Sequence, residues 1–286
     1  MKIGFIGLGI MGESMCENIV KKHNDTVYCN DHKQSQIEKL EAAGAVGCAT
    51  NAEVAEKADL IITMIPTSNH VREAYKEMLP FLKKGKICID MSTIEPDVSV
   101  EVAKFVKNTG AQFADCPVVR SKADAIAGTL GVLVGCDKEL YDIIEPILAY
   151  MGSKVIYMGE NGKGITAKIC HNTLVAQIQN GVNETLILAQ KMGISIDNFA
   201  DAVAAGGAQN FYMNAQREKL KNEDWTTAFS MENMHKDITI CAKLSEEQNF
   251  NMPGMRAAKA ALDKGMEKGW GKQDFRQTYR IVRGDK

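Results

Sequence analysis

The chain has 286 residues, 45% of them hydrophobic and 24% charged, with a formal net charge of −2. That is room for one large or two ordinary globular domains. So small a net charge supplies no field for recruiting nucleic acid or an anionic membrane, and the partner expected is a small molecule. An anionic ligand would have to be chosen locally, by a few placed cations.

A strand pattern starts at residue 2, which leaves no room for a signal peptide, and the most apolar stretches, such as residues 60–66, are too short to span a bilayer. The eight cysteines (16, 29, 48, 88, 116, 136, 170, 241) form neither a C-x-x-C pair nor a His-rich cluster. Most sit in apolar runs, where a reduced cysteine acts as a small hydrophobe. The expectation is a reducing, cytoplasmic compartment with no disulfide framework and no metal site.

In the first half, β-branched runs at residues 2–6, 26–30, 60–64, 86–90, 112–115, 129–134 and 155–157 alternate with helical patterns such as 12–22, 35–43 and 96–108. This alternation predicts an α/β domain with a parallel, helix-flanked sheet. Pro66, Pro96 and Pro117 fall just beyond strand ends, the side of such a sheet that carries ligands. After about residue 162 the β signal ends. Apolar residues from Ile169 to Ala189 recur at helical spacing, and further helices are expected at 196–205, 214–220, 230–247 and 253–268. Two domains follow: 1–162, and an all-helical 163–286 joined by a helix long enough to need burial between domains or subunits.

The run Gly7-Leu8-Gly9-Ile10-Met11-Gly12 closes the first strand and opens the first helix. In that context a G-x-G-x-x-G turn is a dinucleotide site. Gly7 allows the tight turn, Gly9 lets a pyrophosphate approach the backbone, and Gly12 lets helix and sheet pack closely. The helix start, with Ile10 and Met11, presents main-chain N–H groups to the phosphates. Asp31, 19 residues past Gly12, suits the ribose hydroxyls and favours NAD over NADP. His32 and Lys33 stand beside it as cations able to accommodate a 2′-phosphate.

A second motif, Gly162-Lys163-Gly164, opens the long helix, on which Lys168 and Asn172 are four residues apart and share a face. Most helix lysines are merely solvated; the glycine turn before this one allows close packing at the helix start. Hydride transfer to a carbonyl leaves an alkoxide that needs a proton. A lysine supplies it when partial burial draws its pKa down from about 10.4. Asn172 can bind the same oxygen. A non-catalytic NAD-binding protein would need no such proton donor. His171 lies off that stripe and reads as structural, and Asp115 has no second acid at a spacing that suggests paired carboxylates.

Taken in order, six segments make the chain resemble the β-hydroxyacid dehydrogenases, the family of 3-hydroxyisobutyrate dehydrogenase and tartronate semialdehyde reductase. They are Gly4 to Gly12, Asp90-Met91-Ser92-Thr93, Asp115-Cys116-Pro117-Val118, Ala127-Gly128-Thr129-Leu130, the Gly162 to Asn172 motif, and Phe229 with His235-Lys236-Asp237. The resemblance implies a Rossmann domain before an all-helical one, a homodimer or homotetramer, Lys168 as catalytic residue and Asn172 on the substrate. It also implies that Thr93 and Lys236 contact the cofactor and that Ile65 and Pro66 line the nicotinamide end.

One departure concerns specificity. The family usually has Ser-Gly-Gly where this chain has Val119-Arg120-Ser121. Here the arginine fork suits an oxyanion, with Val119 and Ser121 beside it in the substrate segment; the alternative is a salt bridge across the domain cleft. An arginine there is similar to the branch of 3-sulfolactaldehyde reductases, although that branch often reads Gly-Arg-Thr-Ser. The expected activity is therefore NADH-dependent reduction of a short aldehyde bearing an acidic group. The substrate is 3-sulfolactaldehyde, reduced to 2,3-dihydroxypropane-1-sulfonate, or else a carboxylate compound such as 3-hydroxyisobutyrate, tartronate semialdehyde or succinic semialdehyde.

Overall fold

A computed structural model describes residues 1–285. The chain divides into two compact units, Met1–Lys168 and Ile169 onward.

The first unit runs β1 (Ile3–Ile6), α1 (Gly12–Lys22), β2 (Val27–Asn30), α2 (Gln34–Ala42), β3 (Val46–Gly47), α3 (Asn51–Lys57), β4 (Leu60–Thr63) and α4 (Ser68–Met78). It continues with β5 (Ile87–Asp90), α5 (Pro96–Asn108), β6 (Gln112–Asp115), β7 (Val118–Val119), α6 (Lys122–Ala127), β8 (Leu130–Gly135), α7 (Lys138–Leu148) and β9 (Gly152–Gly159). Strands β1, β4 and β5 are buried at every position. That is why they read as continuous apolar runs rather than alternating ones, since helices cover both faces of a parallel sheet. One core packs around Phe5, Met15, Ile62 and Ile89, the other around Ile61, Tyr75, Val102 and Phe113.

Strands β3-β2-β1-β4-β5-β6 are parallel neighbours in that order. Their register aligns Ile6 with Thr63, Thr63 with Asp90, and Asp90 with Asp115. The loops that follow these residues therefore leave the sheet along one level rim, the rim that carries the glycine turn.

Strand β8 departs from the parallel arrangement expected for residues 129–134. It runs antiparallel to β6 and β7, and β9 then pairs parallel to β8 as the outer strand. The residues between β6 and β8 are spent on β7, which itself pairs antiparallel with β8, and on the six-residue α6, so no long crossover helix returns the chain for a parallel pairing. Between β8 and β9 the 11-residue α7 provides a crossover.

The second unit is helical: most of α8 (Lys163–Lys191), then α9 (Ile196–Ala204), α10 (Phe211–Lys221), α11 (Met231–Glu247), α12 (Pro253–Glu267) and the short α13 (Thr278–Arg283). One cluster packs around Ile169, Met234, Ile238, Met255 and Leu262, a second around Val182, Leu186, Met213 and Tyr279. Helix α8 is 29 residues long and is not buried all round within the chain, since Leu174, Leu188 and Met192 are exposed. The change of unit falls at Lys168 rather than at residue 162, because the first turn of α8 packs with the sheet: Ile165 belongs to the core that holds Phe113 and Val102.

All eight cysteines are free thiols, Cys170 exposed and the rest buried. Among the described residues no helix is long and apolar enough to cross a membrane, and no three His, Cys, Asp or Glu side chains gather as a metal site.

Candidate active site

The glycine turn follows β1 at the rim. Gly7 has φ +94°, and a Cβ there would stand 2.3 Å from the Met64 carbonyl oxygen and 2.7 Å from Ile65 Cγ2. A Cβ on Gly12 would stand 1.9 Å from the Gly7 carbonyl oxygen. Both glycines are thus required by the protein's own packing. Gly9 is not, since a Cβ there meets nothing within 4 Å. Beside it Ile10 is 71% exposed, and Met11 at the start of α1 gives no side-chain cap to the helix N–H groups. Open space over Gly9, an exposed apolar side chain and uncapped donors are the features a dinucleotide phosphate needs, so the residues present fit the nicotinamide cofactor.

Asp31, at the end of β2, is turned into this loop. Its Oδ2 accepts from the Leu8 N–H at 2.7 Å and its Oδ1 from the Lys33 N–H at 2.9 Å, with the His32 ring 3.1 Å from Oδ1. Gln36 on α2 donates to the Leu8 carbonyl and to Glu13. The turn is thereby held from both sides before any ligand arrives.

The next two rim loops are tied to each other. Asp90, 1% exposed, accepts from the Thr63 hydroxyl (2.8 Å) and the Ser92 hydroxyl (2.6 Å), and Ser92 Oγ in turn accepts from the Ile65 N–H (2.9 Å). Burial pushes the Asp90 carboxyl upward in pKa, against the hydrogen bonds from Ser92 and Thr63. Through this chain the Ile65–Pro66 loop is fixed relative to the loop carrying Thr93. Ile65 and Thr93 are half-buried and Pro66 is exposed.

Lys168 is a buried residue, 8% exposed. The start of its helix is gripped by Asp115, whose Oδ1 accepts from the Gly162 N–H (2.7 Å) and Oδ2 from the Ile165 N–H (2.8 Å). Burial raises the Asp115 carboxyl to a pKa of about 7 despite these bonds, with the Asp90 charge adding in the same direction. A second acid does therefore stand beside Asp115. It is Asp90, aligned across the strands, which spacing along the chain does not reveal.

In the helical unit, Asn172 is 5% exposed and its Nδ2 donates to Asp237 Oδ2 at 2.6 Å. The other oxygen of Asp237 lies 3.1 Å from the Lys236 Nζ, at ion-pair distance but without hydrogen-bond alignment. The His171 ring, which sequence reads as structural, has its Nδ1 3.1 Å from Asn172 Oδ1. Asn172 and Lys236 are thus joined through Asp237.

The Val119-Arg120-Ser121 segment is arranged more locally than its sequence suggests. Val119 lies in β7, its Cγ2 2.6 Å from where Gly131 would carry a Cβ. Arg120 holds φ +87°, the left-handed region that favours glycine, and its side chain is 45% exposed. Its Nη1 donates to the Thr129 carbonyl (2.8 Å) and lies 3.5 Å from Asp124. That ion pair lies inside the first unit. Ser121 caps α6 and donates its hydroxyl to Asp124 at 2.7 Å, which with the other bonds holds that carboxyl below the usual range.

Asp90, Ser92, Asp115 and Asp237 carry no role in the sequence reading. All four lie inside segments that carry the family resemblance without being assigned one; only cross-strand register and helix contacts reveal their partners.

Comparisons with known proteins place the chain in a family. Residues 2–159 match the family model described as the NAD binding domain of 6-phosphogluconate dehydrogenase, and residues 162–282 the one described as NAD-binding of NADP-dependent 3-hydroxyisobutyrate dehydrogenase. The chain is 30% identical to the mitochondrial 3-hydroxyisobutyrate dehydrogenase of Drosophila melanogaster, over 99% of this chain and 90% of that one. It is 29% identical to the 2-(hydroxymethyl)glutarate dehydrogenase of Eubacterium barkeri, over 98% and 94%. A solved structure of the Mycobacterium tuberculosis 3-hydroxyisobutyrate dehydrogenase superposes with a TM-score of 0.92 at 26% identity, covering 99% of each chain. With a glycine turn that fits dinucleotide phosphates and matches along nearly its whole length, the chain belongs to the β-hydroxyacid dehydrogenase family and is a nicotinamide-dependent oxidoreductase.

Proposed function

We propose that the chain reversibly reduces a short aldehyde bearing an anionic group to the corresponding hydroxyacid, using NADH and with Lys168 as proton donor. The observation that carries this is the burial of Lys168 in the unit that also holds the glycine turn and the Ile65 and Thr93 loops. A buried lysine is rare unless paired, and Lys168 stands one turn past Gly164 in the motif that the family resemblance makes catalytic. The bound nicotinamide supplies the hydride. Lys168 gives a proton to the oxygen that becomes the hydroxyl and takes one back in the oxidative direction. Asn172, its amide held by Asp237, orients the same oxygen.

Arg120 is the group for the substrate's anion. Among the described residues its Nη1 is the atom engaged by protein, which leaves Nε and Nη2 as donors for an oxyanion. A non-glycine residue at φ +87° stores about 1–3 kcal/mol of strain, which suits a residue retained for function. Sulfonate is the anion favoured here, making 3-sulfolactaldehyde the first substrate to try. The reading with a carboxylate, as in 3-hydroxyisobutyrate, is favoured by the full-length match to dehydrogenases of that name. Asp31, the acid that the glycine motif calls for about 20 residues on, supports NADH over NADPH, and a tenfold NADPH preference in steady-state kinetics overturns that choice. Exposed Leu174, Leu188 and Met192 along α8 support a homodimer or homotetramer, and eight free thiols support a reducing, cytoplasmic compartment.

The test is a panel with NADH and 3-sulfolactaldehyde, tartronate semialdehyde or succinic semialdehyde, and with NAD and 3-hydroxyisobutyrate. Lys168→Ala should abolish turnover and leave NADH binding within twofold; unchanged turnover ends the assignment. Arg120→Gly should raise KM for the preferred substrate about 10- to 150-fold, the worth of a charge-assisted contact of about 1.5–3 kcal/mol. It should do so without lowering Tm, because glycine accepts that backbone. An unmoved KM removes the anion clamp.

A further inference from the structure

The start of α8 is set between two strands that meet in a single residue pair. Strands β6 and β8 pair only at Asp115 and Gly135, since β7 takes over beyond Pro117. Into that junction run residues 161–165. Asn161 Nδ2 donates to the carbonyls of Phe113 and Gly135, at 3.0 Å each, so it is tied to both strands. A Cβ on Gly164 would lie 2.5 Å from the Leu133 carbonyl oxygen and 2.7 Å from that of Asp115. One on Gly135 would lie 2.6 Å from Asp115 Oδ1 and 2.7 Å from the Gly164 nitrogen. The glycines thus let helix and strands approach to backbone contact, and the Asp115 carboxylate closes the junction by taking the Gly162 and Ile165 N–H groups.

Lys168 is four residues past Gly164, one turn up the same helix face. In a helix the side chain leans back toward the N-terminus, so Lys168 projects over the turn that Asp115 holds. Ile165, the second residue held, lies about 4.5 Å below Lys168 along the axis.

We propose that Asp115 is the positioning residue for Lys168: its carboxylate fixes the first turn of α8 in the junction of β6 and β8 and so sets where the ammonium group stands at the sheet rim. The catalytic meaning of this placement rests on the reading of Lys168 as proton donor. Each oxygen of Asp115 takes a different main-chain N–H, so an amide cannot replace the carboxylate. An asparagine side chain at this position would offer one acceptor and turn an NH₂ against the other donor.

The test separates placement from catalysis. Full-length wild type and Asp115→Asn are acylated with trace acetic anhydride, and each lysine's rate is read by mass spectrometry. Lys168 should react at least fivefold faster in the variant. Lys86, also buried and bonded to the carbonyls of Ala55, Glu56 and Ala58, should stay within twofold. No change at Lys168, or Lys86 rising in step with it, overturns the proposal. Gly162→Ala, whose Cβ would press on Val100 at 2.9 Å with φ +88°, disturbs the same turn and keeps the carboxylate. It must shift Lys168 in the same sense, and so decides the matter if Asp115→Asn does not fold. In NADH-dependent reduction of succinic semialdehyde, kcat of Asp115→Asn should fall at least tenfold with KM for NADH within twofold. If Lys168→Ala retains full turnover, the proton-donor reading fails while the labelling result stands on its own.

Discussion

Asn172 and Asp237 are joined by a 2.6 Å hydrogen bond between side chains that are 5% and 1% exposed. The bond settles which end of the amide faces the carboxylate, and Asp237 also neutralises Lys236 at 3.1 Å. One buried acid therefore holds both Asn172 and Lys236, which the family resemblance links to substrate and to cofactor. Asp237→Asn keeps the shape but removes the charge, and it permits the Asn172 amide to turn over. We expect a loss of about 1–3 kcal/mol in stability, and kcat/KM lower by about ten- to a hundredfold. Denaturant unfolding and steady-state kinetics measure the two, and an unchanged kcat/KM would show that Asp237 serves the fold alone.

The glycine turn separates into positions that packing requires and one, Gly9, that it leaves open. A methyl group on Gly12 collides with the Gly7 carbonyl, whereas one on Gly9 points into open space. Gly12→Ala should therefore destabilise the free protein by about 1–3 kcal/mol. Gly9→Ala should leave its Tm within a degree or two and weaken NADH by about tenfold or more, roughly 1.4 kcal/mol. Thermal unfolding with and without NADH distinguishes them; a Gly9→Ala protein with full affinity would place the phosphates elsewhere.

Asp115 makes a pH prediction whose sign is fixed by its shift. Burial raises its folded pKa to about 7, above the unfolded value of about 3.9. A raised carboxyl stabilises fully below the unfolded value and loses that contribution as pH rises through the folded one. The stability of wild type relative to Asp115→Asn should thus decline between about pH 4 and pH 7, by at most about 1.4 kcal/mol per unit, and then stay level to pH 9. Asp90 is raised in the same direction but is present in both proteins. Urea unfolding at unit pH intervals reads the difference; a gap that widens from pH 4 to 7 contradicts the raised value.

What the sequence revealed tracks what is periodic or local. The buried strands and the amphipathic helices announce themselves by spacing, and the roles of Gly7 and Gly12 follow from turn geometry. The reversal of β8 was hidden because it follows from the antiparallel pairing of β8 with β7, a two-residue strand too short to show in the sequence pattern. The work of Asp115 was hidden for a related reason: its partners lie 47 and 50 positions away, and its neighbour Asp90 is adjacent only across strands. Arg120 was legible as a departure, yet its left-handed backbone and its bond to Thr129 were not.

The two margins of the sheet are unequal. On one side it stops at β3, two residues long; on the other it stops at β9, eight residues long, with Ile156 and Tyr157 partly in solvent. A long unpaired margin is a template for strand addition by another chain. Lys154 places a charge in it, and Lys138, 4.4 Å from the Tyr141 ring and 5.6 Å from that of Tyr157, draws α7 over its far end. Removing those two cations together should leave folding and turnover intact while shortening the time this protein stays clear in concentrated solution.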